Sequence, residues 1–526
     1  MKNYFLLSIA FFVSLNLHSQ INLLWQKTLG GTAVDLPVDI GVTQDGGFIV
    51  GGTTLSNNGD VSGNHGSLDC WIVKLNASGT IQWQKTIGGS GEDDLKSVHQ
   101  TPDGGYIVSA TTKSSDGDIQ GIQKGADVWV IKLDALGNIE WSKFFGGSGW
   151  DSPNRILPCS DGGYMLSAST SSNDGDVIGS HGYTDYWLVK LDHQGAIQWQ
   201  KTYGGSIDDS SADIVEMSDG GYAIAGYTLS QDGDVTFYHG DDDFWIVRVD
   251  ALGNLLWQKT AGGSMCDVPL HIEESLDGGV IVSGYSNSMD GDVTEFHPSS
   301  IGSFYDAWVV KFDSQGTMEW QRTLGGSDYE WGFSIIPLQS GGYVFAGQTQ
   351  SSDGDIIQQK GQGDAWIVNL PQQGNGLGSV LKQKTFGGTK QDEFVMLRKI
   401  NNWEYIALGQ TYSSNGDLSG NHNSGDIWVV KLSFAPTPVS AISDPSGIES
   451  APLGIWPNPA STVVHLEVPS STIIQQVEVF DMLGNSIQKV EVLEQNVLSV
   501  AQFPKGTYSI RAISTDGKVF SGLLQL

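Results

Sequence analysis

The sequence predicts an all-β chain: a seven-bladed β-propeller of four-stranded blades, closed by its N-terminal strand and followed by a small C-terminal β-sandwich. Two repeated markers carry this reading. The segment W-Q-K-T-x-G-G starts at Trp25, Trp83, Trp141, Trp199, Trp257 and Trp320, with a degenerate seventh copy at Lys382–Gly388. The marker D-x-W ends at Trp71, Trp129, Trp187, Trp245, Trp308, Trp366 and Trp428. The first four intervals between W-Q-K copies are 58 residues and the fifth is 63. A fixed period of this length is the mark of a repeat architecture, in which one supersecondary unit is stacked many times. The third observation is glycine, 69 of 526 residues, gathered at the turns of the repeat without a three-residue period.

Residues 1–19 read as a secretory signal. Lys2 supplies a positive start, Phe5 to Leu17 are mostly apolar, and Ser19 offers a small residue for cleavage before Gln20. The apolar run is shorter than the roughly 20 residues that a spanning helix needs. No later stretch suggests a transmembrane segment.

Residues 20–433 hold the propeller. In one unit, Leu95–Gln100, Tyr106–Thr112, Asp127–Asp134 and Ile139–Phe145 are the four strands, separated by glycine turns. The third alternates Trp129, Ile131 and Leu133 on one face, with Val128 and Val130 on the other. Apolar residues on both faces require both faces to be covered, as in stacked blades. The last D-x-W strand, through Leu432, has no W-Q-K strand after it. The first W-Q-K strand, Ile21 to Leu29, precedes the first complete unit and is therefore expected to complete the seventh blade. An open solenoid is the alternative, and it would leave two exposed sheet edges. Cys70, Cys159 and Cys266 fall at different repeat positions, without the Cys-x-x-Cys spacing of a zinc site, and read as small packed residues.

Residues 434–453 form a linker rich in Pro, Ser and Ala, with Pro436, Pro438, Pro445 and Pro452. Residues 454–526 alternate β runs with turns, and the pattern fits a β-sandwich. Within them, Trp456-Pro457-Asn458-Pro459-Ala460-Ser461 resembles the Y-P-N-P opening of the C-terminal type A sorting domains of the type IX secretion system. Val479 to Asn485, with Asp481 and Gly484, is similar to the V-x-D-x-x-G-K segment of that family. Phe503 to Tyr508, with Pro504, Gly506 and Tyr508, is similar to its L-P-x-G-x-Y segment, and Asp516-Gly517-Lys518 to its terminal hairpin. The chain ends Gly522-Leu523-Leu524-Gln525-Leu526, where the family often has a lysine-containing strand. The resemblance implies two-step export: first by the signal peptide, then by type IX machinery recognising this domain. It also implies removal of the domain, followed by release or attachment to surface lipopolysaccharide.

Asp and Glu outnumber Lys and Arg by 59 to 27, a net charge of −32, which disfavours a nucleic-acid partner. Part of this charge recurs in the loop between the second and third strands. It places Asp60, Asp116, Asp118, Asp174, Asp176, Asp232, Asp234, Asp290, Asp292, Asp353, Asp355 and Asp417 in seven Asp-Gly-Asp or Asn-Gly-Asp turns. One rim of the propeller is therefore expected to be acidic. Two readings of these acids stand side by side. Paired carboxylates with backbone carbonyls suit Ca2+, a hard cation wanting about six to eight oxygens; the same side chains cap turns by accepting backbone N–H groups. His65, His181, His239 and His422 recur in the same loop.

The acids recur in nearly every repeat, so no pair can be singled out for glycoside hydrolysis. The five arginines, Arg155, Arg248, Arg322, Arg398 and Arg511, form no sequence cluster. No catalytic set is assigned. The expected function is a secreted or cell-surface scaffold binding a glycan or a protein. The alternative is a polysaccharide-active hydrolase or lyase on the same fold.

Overall fold

The computed structural model describes residues 21–119, 127–297, 304–339, 341–372, 380, 382–422, 424–434, 450–456, 463–468, 472–480, 486–491, 497–500, 507–515 and 518–525. The described residues contain no helix, and none is therefore long and apolar enough to cross a membrane. The chain divides into two compact units, Leu23–Ser433 and a smaller one that includes Phe434–Leu526.

The larger unit consists of seven four-stranded antiparallel sheets. Sheets I to VI run in chain order over residues 35–87, 93–145, 151–203, 209–261, 267–324 and 330–386. Sheet VII combines Asp392–Lys399, Glu404–Thr411 and Asp426–Ser433 with the N-terminal strand Asn22–Leu29. In sheet II the strands are Asp93–Gln100, Tyr106–Thr112, Val128–Leu133 and Ile139–Phe145, close to the expected ones. Third strands are buried on both faces, so their seven D-x-W tryptophans are fully enclosed.

The packing explains why two tryptophans and one glutamine recur. The D-x-W indole N–H donates to the W-Q-K glutamine on the neighbouring fourth strand: Trp71 Nε1 to Gln84 Oε1 at 2.8 Å and Trp187 Nε1 to Gln200 Oε1 at 2.9 Å. The W-Q-K tryptophan leans on the hairpin turn of the next sheet. At Gly137, with φ +78°, an added Cβ would stand 2.8 Å from Cζ3 of Trp83. The turn needs both the left-handed backbone and the missing side chain. Trp25 of the N-terminal strand meets Gly79 of sheet I in the same way. The first strand of each sheet packs on that of the next, and the first strand of sheet VII packs on that of sheet I. One apolar cluster joins Ile40, Phe48 and Trp71 of sheet I to Ile406, Leu408 and Val429 of sheet VII.

The three thiols are free; Cys70 and Cys159 are buried, whereas Cys266 is half-exposed. The smaller unit has a five-stranded sheet ordered 450–452, 519–525, 507–514, 474–480, 486–491 and a three-stranded sheet of 454–456, 463–467 and 497–499. Both contribute to one core, including Ile455, Val464, Val477, Ile510 and Leu524. Tyr508 of the sorting motif lies in that core. Pro457, Asn458, Pro459, Asp481, Gly484, Pro504, Gly506, Asp516 and Gly517 lie outside the described residues.

Candidate functional site

The Asp-Gly-Asp loops sit at the corners where one sheet hands over to the next. Asp116 Oδ1 accepts Ser90 N at 2.7 Å, and Asp118 Oδ2 accepts Gly88 N at 3.2 Å. Asp174, Asp232, Asp290 and Asp353 accept the equivalent amides of Ser148, Ser206, Ser264 and Ser327. Asp176, Asp234, Asp292, Asp355 and Asp417 accept those of Gly146, Gly204, Gly262, Gly325 and Gly387. Asp60 keeps the turn through its own backbone, donating N–H to Gly30 O at 2.9 Å. Where the first acid is an asparagine the bond persists: Asn58 Oδ1 accepts Thr32 N at 2.8 Å and Asn415 Oδ1 accepts Thr389 N at 3.0 Å. A neutral amide does the same work, so a cation is not needed to account for this position.

The loop histidines pair with the D-x-W aspartate four residues on. Nδ1 of His65, His239 and His422 lies 2.8, 3.0 and 2.8 Å from Oδ2 of Asp69, Asp243 and Asp426, and His181 Nδ1 lies 3.5 Å from Asp185. Each of these buried aspartates faces a second carboxylate, the acid that opens the next first strand. An added Cβ on Gly88 would stand 2.6 Å from Asp93 Oδ2 and 2.9 Å from Asp69 Oδ1, so only glycine fits between them. Burial and the facing carboxylate push Asp209 and Asp267 up to about 6 and Glu330 up to about 7.

A constellation that the sequence reading did not assemble lies on the first strands. Each first strand carries a β-bulge just before its fifth residue. That residue is Asp39, Ser97, Arg155, Asp213 and His271 in sheets I to V, and Ser334 and Met396 in VI and VII. Several accept the following amide of the next sheet: Asp39 Oδ2 from Val98 N at 3.2 Å, Ser97 Oγ from Ile156 N at 2.9 Å, and Asp213 Oδ2 from Ile272 N at 3.1 Å. His271 Nδ1 takes Ile335 N at 3.3 Å. Arg155 instead donates to Asp213 Oδ1 at 3.0 Å, with its other arm 3.7 Å from Asp39. Arg398 Nη2 reaches Asp39 Oδ1 at 3.2 Å and its Nη1 lies 3.3 Å from His271 Nε2. Burial holds His99 down to about 4 and lowers His271 as well. Glu273 is pushed up to about 7 by burial and by Asp213. His271 Nε2 stands 3.8 Å from both Asp213 and Glu273. The two arginines that are remote in sequence are thus brought together on one aspartate.

A third feature breaks the repeat at the surface. Across sheets IV to VI, the positions at the ends of the second strands and in the inter-sheet links become Tyr227, Asp242, Tyr285, Cys266, Tyr305, Tyr329 and Trp331, all half-exposed. Tyr285 and Tyr305 meet edge to face at 4.9 Å, and Tyr329 stacks on Trp331 at 5.4 Å. Among the described residues, the one group of three metal-ligating side chains is Asp241, Asp242 and Cys266, beside these rings; none of the Asp-Gly-Asp acids joins such a group.

Comparison with known proteins places the C-terminal unit. Residues 454–523 match the family of secretion system C-terminal sorting domains. The chain is type IX secretion cargo. Its sorting domain implies contact with the type IX machinery and export toward the cell surface or the extracellular space. The cargo chain is 24% identical over 203 residues to the regulatory protein FlaEY of Caulobacter vibrioides. The match covers 37% of the cargo chain and spans about a fifth (21%) of that relative's length. Among solved structures, puromycin hydrolase is similar with a TM-score of 0.42 and 12% identity, covering 72% of this chain and 50% of that one. The WD40 domain of Neurospora crassa Pan2 has a TM-score of 0.39 and 11% identity, covering 77% and 90%.

Proposed function

We propose that this cargo is a secreted scaffold whose seven sheets form a closed seven-bladed propeller, and that the half-exposed aromatic and acidic face of sheets IV to VI binds a glycan or a protein. The observation that carries the reading is the run of Tyr285, Tyr305, Tyr329 and Trp331, in four columns of the repeat whose other aromatic members are Tyr227 and Trp150 alone. Repeat positions that serve the fold stay constant; these change together and meet in space. Accessible aromatic rings grouped with polar side chains are the composition of binding surfaces rather than of folding cores. In this reading residues 1–19 are removed on export, 20–433 are the propeller, 434–453 the linker, whose last residues 450–452 pair into the five-stranded sheet, and 454–526 the sorting domain. Removal of the last segment then leaves the propeller released or attached to lipopolysaccharide.

A second reading is a polysaccharide hydrolase or lyase, favoured by Glu273. This carboxyl is raised to about 7 beside Asp213, the kind of group that donates a proton at neutral pH. Against it, Asp39, Asp213, Arg155 and Arg398 already compensate one another, as in a structural ion network. Glycan and protein arrays probed with the full chain, followed by a product assay on each hit, separate the two. Binding without turnover supports the scaffold. New reducing ends or unsaturated products that vanish in Glu273→Gln support the enzyme.

A further inference from the structure

We propose that the unit read by the type IX machinery starts at Ser450 rather than at residue 454, where the family match begins, and that residues 450–453 are needed for export because they hold its C-terminal strand in place. The proposal concerns the smaller unit alone and is independent of what the larger unit binds. Ser450–Pro452 is the outer strand of the five-stranded sheet and runs parallel to the C-terminal strand Val519–Gln525. Ser450 stands opposite Val519, Ala451 opposite Phe520 and Pro452 opposite Ser521. Two residues on, Gly454–Trp456 belongs to the three-stranded sheet, with Ile455 opposite Leu466. The chain therefore changes sheets at Leu453, and this segment stitches the two sheets together. Leu453 and Ile455 are both buried, in the same core as Tyr508 and Leu524. Three parallel pairs are weak on their own; the apolar surface that Leu453 buries anchors them.

Gly522 shows how closely the segment passes over the C-terminal strand. An added Cβ there would stand 2.6 Å from Leu453 O, 3.0 Å from Ile455 Cδ1 and 3.3 Å from Leu453 Cβ. A glycine inside a strand marks a close approach of another stretch of backbone, so both ends of the unit are fitted to this crossing. On one side the C-terminal strand pairs along its whole length with Thr507–Ser514, from Thr507 opposite Gln525 to Ile513 opposite Val519. On its other side, among the described residues, 450–452 are its strand partner. Without them the last strand becomes an edge, with an open row of N–H and C=O groups beside a chain end, where order is lost first. The family match, residues 454–523, runs into this same strand. The export signal thus includes the element that the preceding four residues hold.

The test is export of the full chain from a cell with type IX secretion, read as the fraction that reaches the surface and medium rather than staying in the periplasm. Ser450→Pro combined with Ala451→Pro leaves the strand without any N–H, since Pro452 has none. Leu453→Ser removes the anchor, and Gly522→Val blocks the crossing from the other strand. Each should lower the exported fraction about tenfold or more. Amide exchange of the purified full chains should quicken about tenfold or more over Val519–Gln525 in each variant, with the strands of the larger unit unchanged. Export of the double proline variant at the parental level overturns the proposal. So does lost export with unchanged exchange over Val519–Gln525, because the segment would then not act by holding that strand. Loosening of the larger unit in every variant would make the effect one of general misfolding and would overturn it too.

Discussion

Trp428 Nε1 donates a 2.7 Å hydrogen bond to Gln26 Oε1, across 402 residues of chain. In sheet I the same bond, from Trp71 to Gln84, spans 13 residues. One repeat rule is therefore obeyed once by the two ends of the larger unit. Gln26 also donates to Asp417 O at 2.7 Å, so it bridges two segments of the seventh repeat. Gln26→Ala leaves a buried indole N–H without a partner, a loss of about 1–3 kcal/mol. Urea unfolding should show this loss, and Gln84→Ala should show one of similar size. A Gln26→Ala protein as stable as the parent would contradict the bond's role.

Sheet II breaks the rule. Ser142 stands where the other repeats have glutamine, and Trp129 Nε1 is buried without a partner. Phe144 stacks on Trp129 at 6.1 Å in place of the repeat's threonine. Ser142→Gln should restore the bond and raise stability by about 1 kcal/mol. A shift to lower urea midpoint would show that Phe144 leaves no room for it.

Asp39 has Arg155 at 3.7 Å and Arg398 at 3.2 Å. Removing it leaves Arg155 with Asp213 alone and takes from Arg398 its carboxylate among the described residues. Breaking a buried pair costs about 3–5 kcal/mol because an uncompensated charge remains. Asp39→Ala should therefore destabilise far more than Ser97→Ala at the same position of sheet II. Equal losses would mean that the ion network adds nothing beyond packing.

Stability should rise as pH falls from 8 to about 5. Asp209, Asp267 and Asp364 are raised to about 6, and Glu273, Glu330 and Glu393 to about 7, all with burial as the largest cause. Their folded forms bind protons that the unfolded chain releases at about 4, so acidification through that window favours the fold. His99, held down to about 4, and His271, also lowered by burial, work the other way below about 6.5, but they are two groups against six. Asp45 and Asp103, lowered to about 2, withdraw stability only below about 4. Urea midpoints at pH 8, 6.5 and 5 check the order, and Asp267→Asn should flatten it. A steady decline from 8 to 5 would contradict the raised carboxyls.

Chelation tests the loop acids. As turn caps, Asp116, Asp174 and their equivalents hold the corners without a metal, so EDTA should leave the melting temperature of the full chain unchanged. Asp174→Asn should be nearly neutral and Asp174→Ala should cost about 1 kcal/mol. A fall in melting temperature under EDTA that added Ca2+ reverses would instead make these loops calcium sites.

The repeat made the sheets legible because its markers are contacts: the D-x-W indole and the W-Q-K amide bond to each other, and the W-Q-K ring rests on the next turn. The role of the G-G pair was legible only as a turn, since the carboxylates that crowd Gly88 come from two different strands. The inner constellation was illegible for a plainer reason. Asp39, Arg155, Asp213 and His271 stand 58 or 116 residues apart, and each looks isolated in its own repeat. A signal did exist: they fill one column of the repeat in which polar type changes while the residue that follows stays Ile, Val or Leu. The aromatic face carries the same signal in the link columns of sheets IV to VI.

Amide hydrogen exchange of the strand Asn22–Leu29 tests the central claim, closure of seven sheets by the N-terminal strand, most directly. Closure predicts protection of Trp25, Lys27 and Leu29 comparable with Trp83, Lys85 and Ile87 in sheet I. Exchange at the rate of a frayed terminus, with Trp428 and its neighbours losing protection too, would contradict it.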